Sequence, residues 1–317
     1  MDLSNSETTP SDILMKNNSN KAPWRRYLEQ KMHIFRSTYR LQAFPFRDTL
    51  IRYITNNPVS SKVYQKMIQS CKHFFIKNPI IVVKTLYFSL QYKGWFTHGS
   101  RPSKNHPNGI PVYLNEITSK IWIADSLNVC WPTPNWSVVT SFMPKIYQCD
   151  AADIFIYGQM FSFNDLMVIA SKCEMVYLSN VVIMNNDEKV PETEEDQFYF
   201  ETAVSLEALI KALTNVKTFI YDLPKNSLNI ITTKTAEELL KISNFLSLEK
   251  FQIREIPETF NLISFYGHIK ENKKTKIDLH FSRQISDEYK TRLQTIVDEI
   301  LQTEIRDYKV PSIYFQR

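Results

Sequence analysis

Glycine is scarce in this sequence: five in 317 residues, at Gly94, Gly99, Gly109, Gly158 and Gly267. They stand apart, so neither G-x-G-x-x-G nor G-x-x-x-x-G-K can be assembled. Both motifs use glycine because backbone N–H groups must approach a phosphate closely. The common nucleotide-binding loops are therefore excluded. Cysteine is rarer still. Cys71, Cys130, Cys149 and Cys173 are widely spaced, with no C-x-x-C pair and no Cys–His cluster at zinc spacing. Four cysteines in a chain this long make no secreted disulfide framework, and each reads as a reduced, partly buried thiol. Long apolar runs are missing too. The most lipid-like stretch, Ile80-Ile81-Val82-Val83, meets Lys84 far short of the ~20 residues a membrane span needs. The first residues are polar and rich in Ser, Thr and Asn, unlike a signal peptide. The expectation is an intracellular chain, cytoplasmic or nuclear, with no membrane partner.

Charge of one sign is also lacking. The excess of 38 basic over 33 acidic residues leaves +5, less concentrated than a dedicated nucleic-acid binder carries. No G-x-S-x-G elbow supplies a serine nucleophile, and no Asp-rich calcium loop is present. His98 and His106 share a loop, yet no nearby Asp, Glu or Cys completes a metal shell. Asp153 and Asp165 are an imaginable carboxylate pair, but Asp165 fits a helix N-terminus. His280 falls on the outward side of an alternating strand and reads as solvated. The reading is non-enzymatic, with no catalytic residue, no metal and no cofactor.

What is present is material for a core: 43% hydrophobic and 13% aromatic residues, more than a disordered chain holds. Residues 1–22 read as a disordered tail and 23–96 as a helical unit. In the latter, Trp24 to Arg40 is a basic, aromatic surface helix. Phe44-Pro45 opens a short amphipathic helix in which Phe46, Leu50, Ile51 and Ile54 fall on one face. Asn56-Asn57-Pro58 stops it. Ser60 or Ser61 caps a second helix bearing Val63, Tyr64, Met67, Ile68 and Cys71, extended by Phe74 and Phe75 and closed at Asn78-Pro79. Such a pair is too small for a core of its own without a neighbour or partner.

The order Phe44-Pro45, Leu50-Ile51, Ile54 and then Cys71-Lys72-His73-Phe74 resembles an F-box. That motif opens on Leu-Pro, continues as a leucine-rich helix and ends near a Cys-Lys-x-Trp or Cys-Arg-x-Phe signature. Here Pro45 matches the proline, Phe44 stands where leucine is usual, and Cys71, Lys72 and Phe74 match the close. The spacing is somewhat longer, and Thr55 to Ser61 lacks the usual Asp-rich turn. The wider chain resembles nematode F-box-like proteins with a leucine-rich-repeat-like region, through Phe44 to Val83, Lys120 to Leu127, Lys145 to Asp150 and Tyr157 to Leu166. The resemblance implies that Phe44, Pro45, Leu50, Ile51, Ile54, Val63 and Cys71 bind a Skp1-type adaptor of a cullin ubiquitin ligase. The remainder would bind a target protein.

Thr97 to Val112 reads as a polar loop, and the domain boundary is placed there, with a second region over 113–317. Strands are expected at 154–157, 175–178, 216–221, 250–253 and 276–281. Helices alternate with them: Asn164 to Cys173, a helix behind Ser205, one with a Thr235–Glu238 capping box, and one after Ser286. Counted from starts near 154, 175, 218, 250 and 276, the strands step by 21, 43, 32 and 26 residues, around the leucine-rich-repeat period. The longest step holds an acidic insertion at 185–201, seven carboxylates against Lys189, read as a solvated loop. Each strand–helix unit can bury its apolar side only against the next. The expected fold class is α/β, a small N-terminal F-box-like helical unit followed by an irregular leucine-rich-repeat-like α/β solenoid. Trp95, Trp122, Trp131 and Trp136 are expected to fill the junction between the two. Three function classes stay open: a substrate-receptor adaptor, a scaffold that recruits no ligase, and a nucleic-acid-associated factor resting on a pI near 8.8 and the Trp24–Arg40 stretch.

Overall fold

Runs of β-branched and aromatic residues favour extended backbone, because their side chains pack on a pleated surface. In the computed structural model such runs become the strands of one large mixed sheet. The structure describes residues 30, 33–89, 94–98, 109–114, 116–129, 136–185, 203–224, 229–303 and 307–316. Ile80–Ser89 (β1), Gly94–His98 (β2) and Ile110–Val112 (β3) pair antiparallel in sequence. Lys120–Val129 (β4) lies parallel to β1. The first half of β4 pairs with Ile146–Cys149 (β5) and its second half with Asp153–Tyr157 (β6). Met160–Ser162 (β7) belongs to a separate small pair. Met175–Ser179 (β8) continues the main sheet, and Val182–Met184 (β9) is the partner of β7. Thr218–Asp222 (β10), Lys250–Ile256 (β11), Lys276–Phe281 (β12) and Ser312–Tyr314 (β13) complete it. From β4 through β6, β8, β10, β11, β12 and β13, each strand lies parallel beside its predecessor.

From β6 to β10 and β11 the strands pair without a break in register. Leu127, Ile154, Val176, Phe219, Phe251 and Ile277 form one cross-strand row, and Val129, Ile156, Leu178, Tyr221, Ile253 and Leu279 the next. All are buried. The helices 163–170, 206–212, 235–240, 243–247, 262–271 and 287–302 bury Leu166, Leu209, Leu239, Phe245, Phe265 and Leu293 into that same cluster. A strand alternates its side chains between two faces, so the helices cover one face of the sheet and leave the alternate rows outside the core. Ser162, Ser205 and Ser286 cap their helices by accepting the N–H of Asp165, Ala208 and Tyr289. Residues 153–162 and 175–184 repeat each other: Asp153 faces Met175 and Met160 faces Val182, an offset of 22 in both. The turn after each strand is left-handed, with Gly158 at φ 58° and Asn180 at φ 51°, residues that enter this region at little steric cost.

The chain divides into two compact units, 1–79 and 80–317. This corrects the boundary expected at Thr97 to Val112. Ile80 to Val83 is a strand of the second unit, paired with Lys120 to Ile123, because a buried parallel strand reads as an unbroken apolar run. Both ends of the expected loop are strands, β2 and β3, while 99–108 lie outside the described residues. The tail 1–22 and residues 186–201 of the acidic insertion also lie outside them. The capping box is corrected as well. Thr235 already lies inside its helix and donates to Glu207 Oε2 at 3.0 Å, while accepting the N–H of Thr232. Strands β1 to β5, β7, β9 and β13 were not among those expected.

In the first unit Asp48–Asn56 (α1), Ser61–Ser70 (α2) and Lys72–Lys77 (α3) are the main helices. Ser60 caps α2 by accepting the N–H of Val63 at 3.2 Å. The second expected helix is broken at Cys71, whose backbone is extended at φ −152°, ψ 129°. Phe74 and Phe75 therefore belong to α3 and not to the stripe of α2.

Candidate interaction surface

Consecutive helical residues turn by about 100°, so Leu50, Tyr53 and Ile54 share one stripe of α1, while Ile51 and Thr55 lie to its side. Hydrogen bonds decide which side turns inward. Thr55 Oγ1 donates to Ile51 O at 2.6 Å, and the Asn78 amide donates to Thr55 O at 2.9 Å. Asn78 O in turn accepts the hydroxyl of Tyr64, a fully buried residue of α2. Ile51 is consequently only 7% exposed, whereas Leu50, Tyr53 and Ile54 are 43%, 65% and 38% exposed. Phe46, ahead of the helix, and Val63 on α2 are exposed too.

The residues singled out from sequence thus separate. Pro45, Leu50, Ile54 and Val63 stand at the surface. Ile51 is buried, and Phe44 and Cys71 are half-buried. The Phe44 ring packs on His73 at 5.0 Å and Phe74 at 5.8 Å. Its neighbours tie the preceding segment to α3: Phe35 meets Phe75 edge-on at 5.7 Å, and Lys72 sits 4.7 Å over Phe35. Tyr39 OH lies 3.2 Å from His73 Nδ1. Burial lowers the His73 pKa, Lys77 lowers it further and Asp48 opposes them. Tyr53, the most exposed residue of the stripe, escaped the sequence reading. Its spacing from Leu50 was visible, but an apolar arc this wide does not say which half faces inward.

The second unit offers no reactive thiol among its described cysteines. Burial pushes Cys149 up to about 11 and Cys173 up to about 12. The Cys173 thiol donates to Met175 O at 2.8 Å. No group of three His, Cys, Asp or Glu among the described residues is placed to hold a metal ion. His106 lies outside those residues, and Asp165 occupies the first turn of its helix. His280 is half-buried, its ring stacked on Tyr314 at 4.3 Å. Of the tryptophans, Trp122 is fully buried and donates Nε1–H to Asp150 Oδ2 at 2.8 Å. Trp95 packs on Phe142 at 4.5 Å, Trp136 rests on the β7–β9 pair, and Trp131 is outside the described residues. No helix among the described residues is long and apolar enough to cross a membrane. Comparison with known proteins returned no matching family model, no similar curated protein and no similar solved structure.

Proposed function

We propose that this chain is a non-enzymatic protein-interaction module: a substrate-receptor adaptor whose F-box-like helical unit docks on a Skp1-type linker of a cullin ubiquitin ligase. In this reading the second unit is an irregular leucine-rich-repeat-like solenoid that binds the target. The observation that carries it is the apolar stripe of Phe46, Leu50, Tyr53 and Ile54, continued by Val63, standing exposed on helices whose opposite side is tied down. Exposed apolar clusters on a folded surface mark contact sites; aromatic side chains are enriched at interface cores, and Tyr is among those that dominate interface energies. Pro45 and Cys71-Lys72-x-Phe74 flank the stripe where the F-box resemblance expects them. The sequential parallel order of the strands from β4 to β13 supports the repeat reading.

The deciding experiment is stoichiometric capture of a purified Skp1-type protein by the full chain, read by size-exclusion chromatography and calorimetry. A one-to-one complex is expected. A folded chain that captures none is a scaffold without a ligase, and the adaptor reading fails.

A further inference from the structure

The outward rows of the main sheet have a chemistry of their own. Pairing places Phe155 of β6, Tyr177 of β8 and Ile220 of β10 side by side, followed by Gln252 and Asp278 on β11 and β12. Adjacent strands lie about 4.8 Å apart, so the row is a straight track crossing the strands. Its first part is apolar: Phe155 and Tyr177 meet edge-on at 6.2 Å, both half-buried and neither a member of the helix-covered core. Its second part, Gln252 and Asp278, is buried, and the exposed charge lies in the rows on either side. The alternation puts Lys250 and Arg254 of β11 and Lys276 of β12 on this face, with Lys250 and Lys276 directly paired.

Solvent does not meet these charges equally. Arg254 lies 3.6 Å from Asp222, yet its side chain is 46% exposed and that of Asp222 15%. Lys276 lies 3.9 Å from Asp278, with exposures of 57% and 11%. The Asp222 carboxylate also accepts the Tyr177 hydroxyl at 2.8 Å. The carboxylates are covered, and an incoming molecule meets three cations first. From this distribution we infer that the outward face binds an extended acidic peptide segment of the target. Apolar or aromatic side chains of the segment lie over Phe155, Tyr177 and Ile220, and its carboxylates reach Lys250, Arg254 and Lys276. Single-stranded nucleic acid fits less well. The two rings stand at 63° to each other and are half-buried, which offers no flat platform for base stacking. This inference rests on the target-binding reading of the second unit.

Selection of displayed random peptides against the full chain tests it. Peptides joining an aromatic or branched apolar residue to two or more carboxylates are expected. Arg254→Gln alone should weaken them about tenfold, the scale of one charge-assisted hydrogen bond, and Lys250→Glu/Lys276→Glu should abolish capture with the melting transition intact. Selected peptides without acidic enrichment, no enrichment at all, or equal binding to the Arg254→Gln chain would overturn the inference. So would an oligo(dT) probe that binds tighter than the peptides and displaces them. Skp1-type capture by the same variants is the separating control, since the substituted residues lie in the other unit. Acidic peptides selected by a chain that captures no Skp1-type protein leave this inference standing and sink only the adaptor.

Discussion

Tyr53 and Ile51 are two residues apart on α1 and meet opposite fates, which makes them a matched pair of perturbations. Tyr53 is 65% exposed. A large aromatic side chain presents ~200 Å², so a partner covering the exposed part removes about 130 Å² from water. At ~25 cal/mol per Å² that is about 3 kcal/mol, and ordering the side chain returns ~1 kcal/mol. Tyr53→Ala should therefore weaken capture of a Skp1-type protein by ~2 kcal/mol, about thirtyfold in Kd. Alanine is a better helix former than tyrosine, so the fold should hardly notice. Ile51 is buried, and Ile51→Ala should cost the first unit about 2–5 kcal/mol through the cavity it leaves. The readouts are calorimetric affinity and amide hydrogen exchange over residues 48–77, which reports local opening directly. Faster exchange in Ile51→Ala alone, with weaker capture in a normally protected Tyr53→Ala, is the expected pattern. Wild-type affinity in Tyr53→Ala would refute the stripe as an interface, and equal loss of protection in both variants would refute the assignment of faces.

Three further outcomes concern buried side chains, most of them in the second unit. Phe219 is fully buried between Phe251 at 6.3 Å and Tyr221 at 6.2 Å, so Phe219→Ala should cost ~3–5 kcal/mol in denaturant unfolding; a loss below ~1 kcal/mol would contradict the central ladder. His268 has its pKa lowered by burial against Phe245 at 5.6 Å and Phe265 at 5.7 Å, with Glu271 opposing. The folded protein then holds the neutral ring while the unfolded chain takes up a proton first, so stability present above the unfolded pKa of 6.5 is lost as pH falls below it. His268→Phe should flatten that decline in melting curves recorded from neutral to mildly acidic pH, and an unchanged slope would show that other groups carry it. Site-resolved alkylation should label Cys71 in the native state and spare Cys149 and Cys173 until unfolding, because both thiols are buried and protonated; native labelling of Cys173 would refute its burial.

The sequence by itself determined much of the local structure. Alternation at Lys276 to Phe281 and the apolar run at Ile154 to Tyr157 produce strands where they were expected. Ser205 and Ser286 cap helices for the same reason in sequence and in space, since a serine oxygen satisfies an otherwise unbonded N–H. Thr235 looked equally good as a cap and is not one, because it lies inside the helix and its oxygen accepts the N–H of Thr232 instead. Ile80 to Val83 carried a strand signal that only its pairing with Lys120 to Ile123 completes, and that pairing moved the boundary of the units. The exposed stripe of the first unit was half legible. Apolar spacing located the arc on α1, but Tyr64 and Asn78, fixed by the return of the chain, selected Ile51 for the interior and left Tyr53 outside. The outward track across the sheet was not legible at all. Phe155, Tyr177 and Ile220 become neighbours through strand register, as do Lys250 and Lys276. Periodicity is a property of adjacent residues and is written in the sequence, whereas register joins residues whose separation along the chain carries no periodic signal, and only the packed tertiary structure decides it.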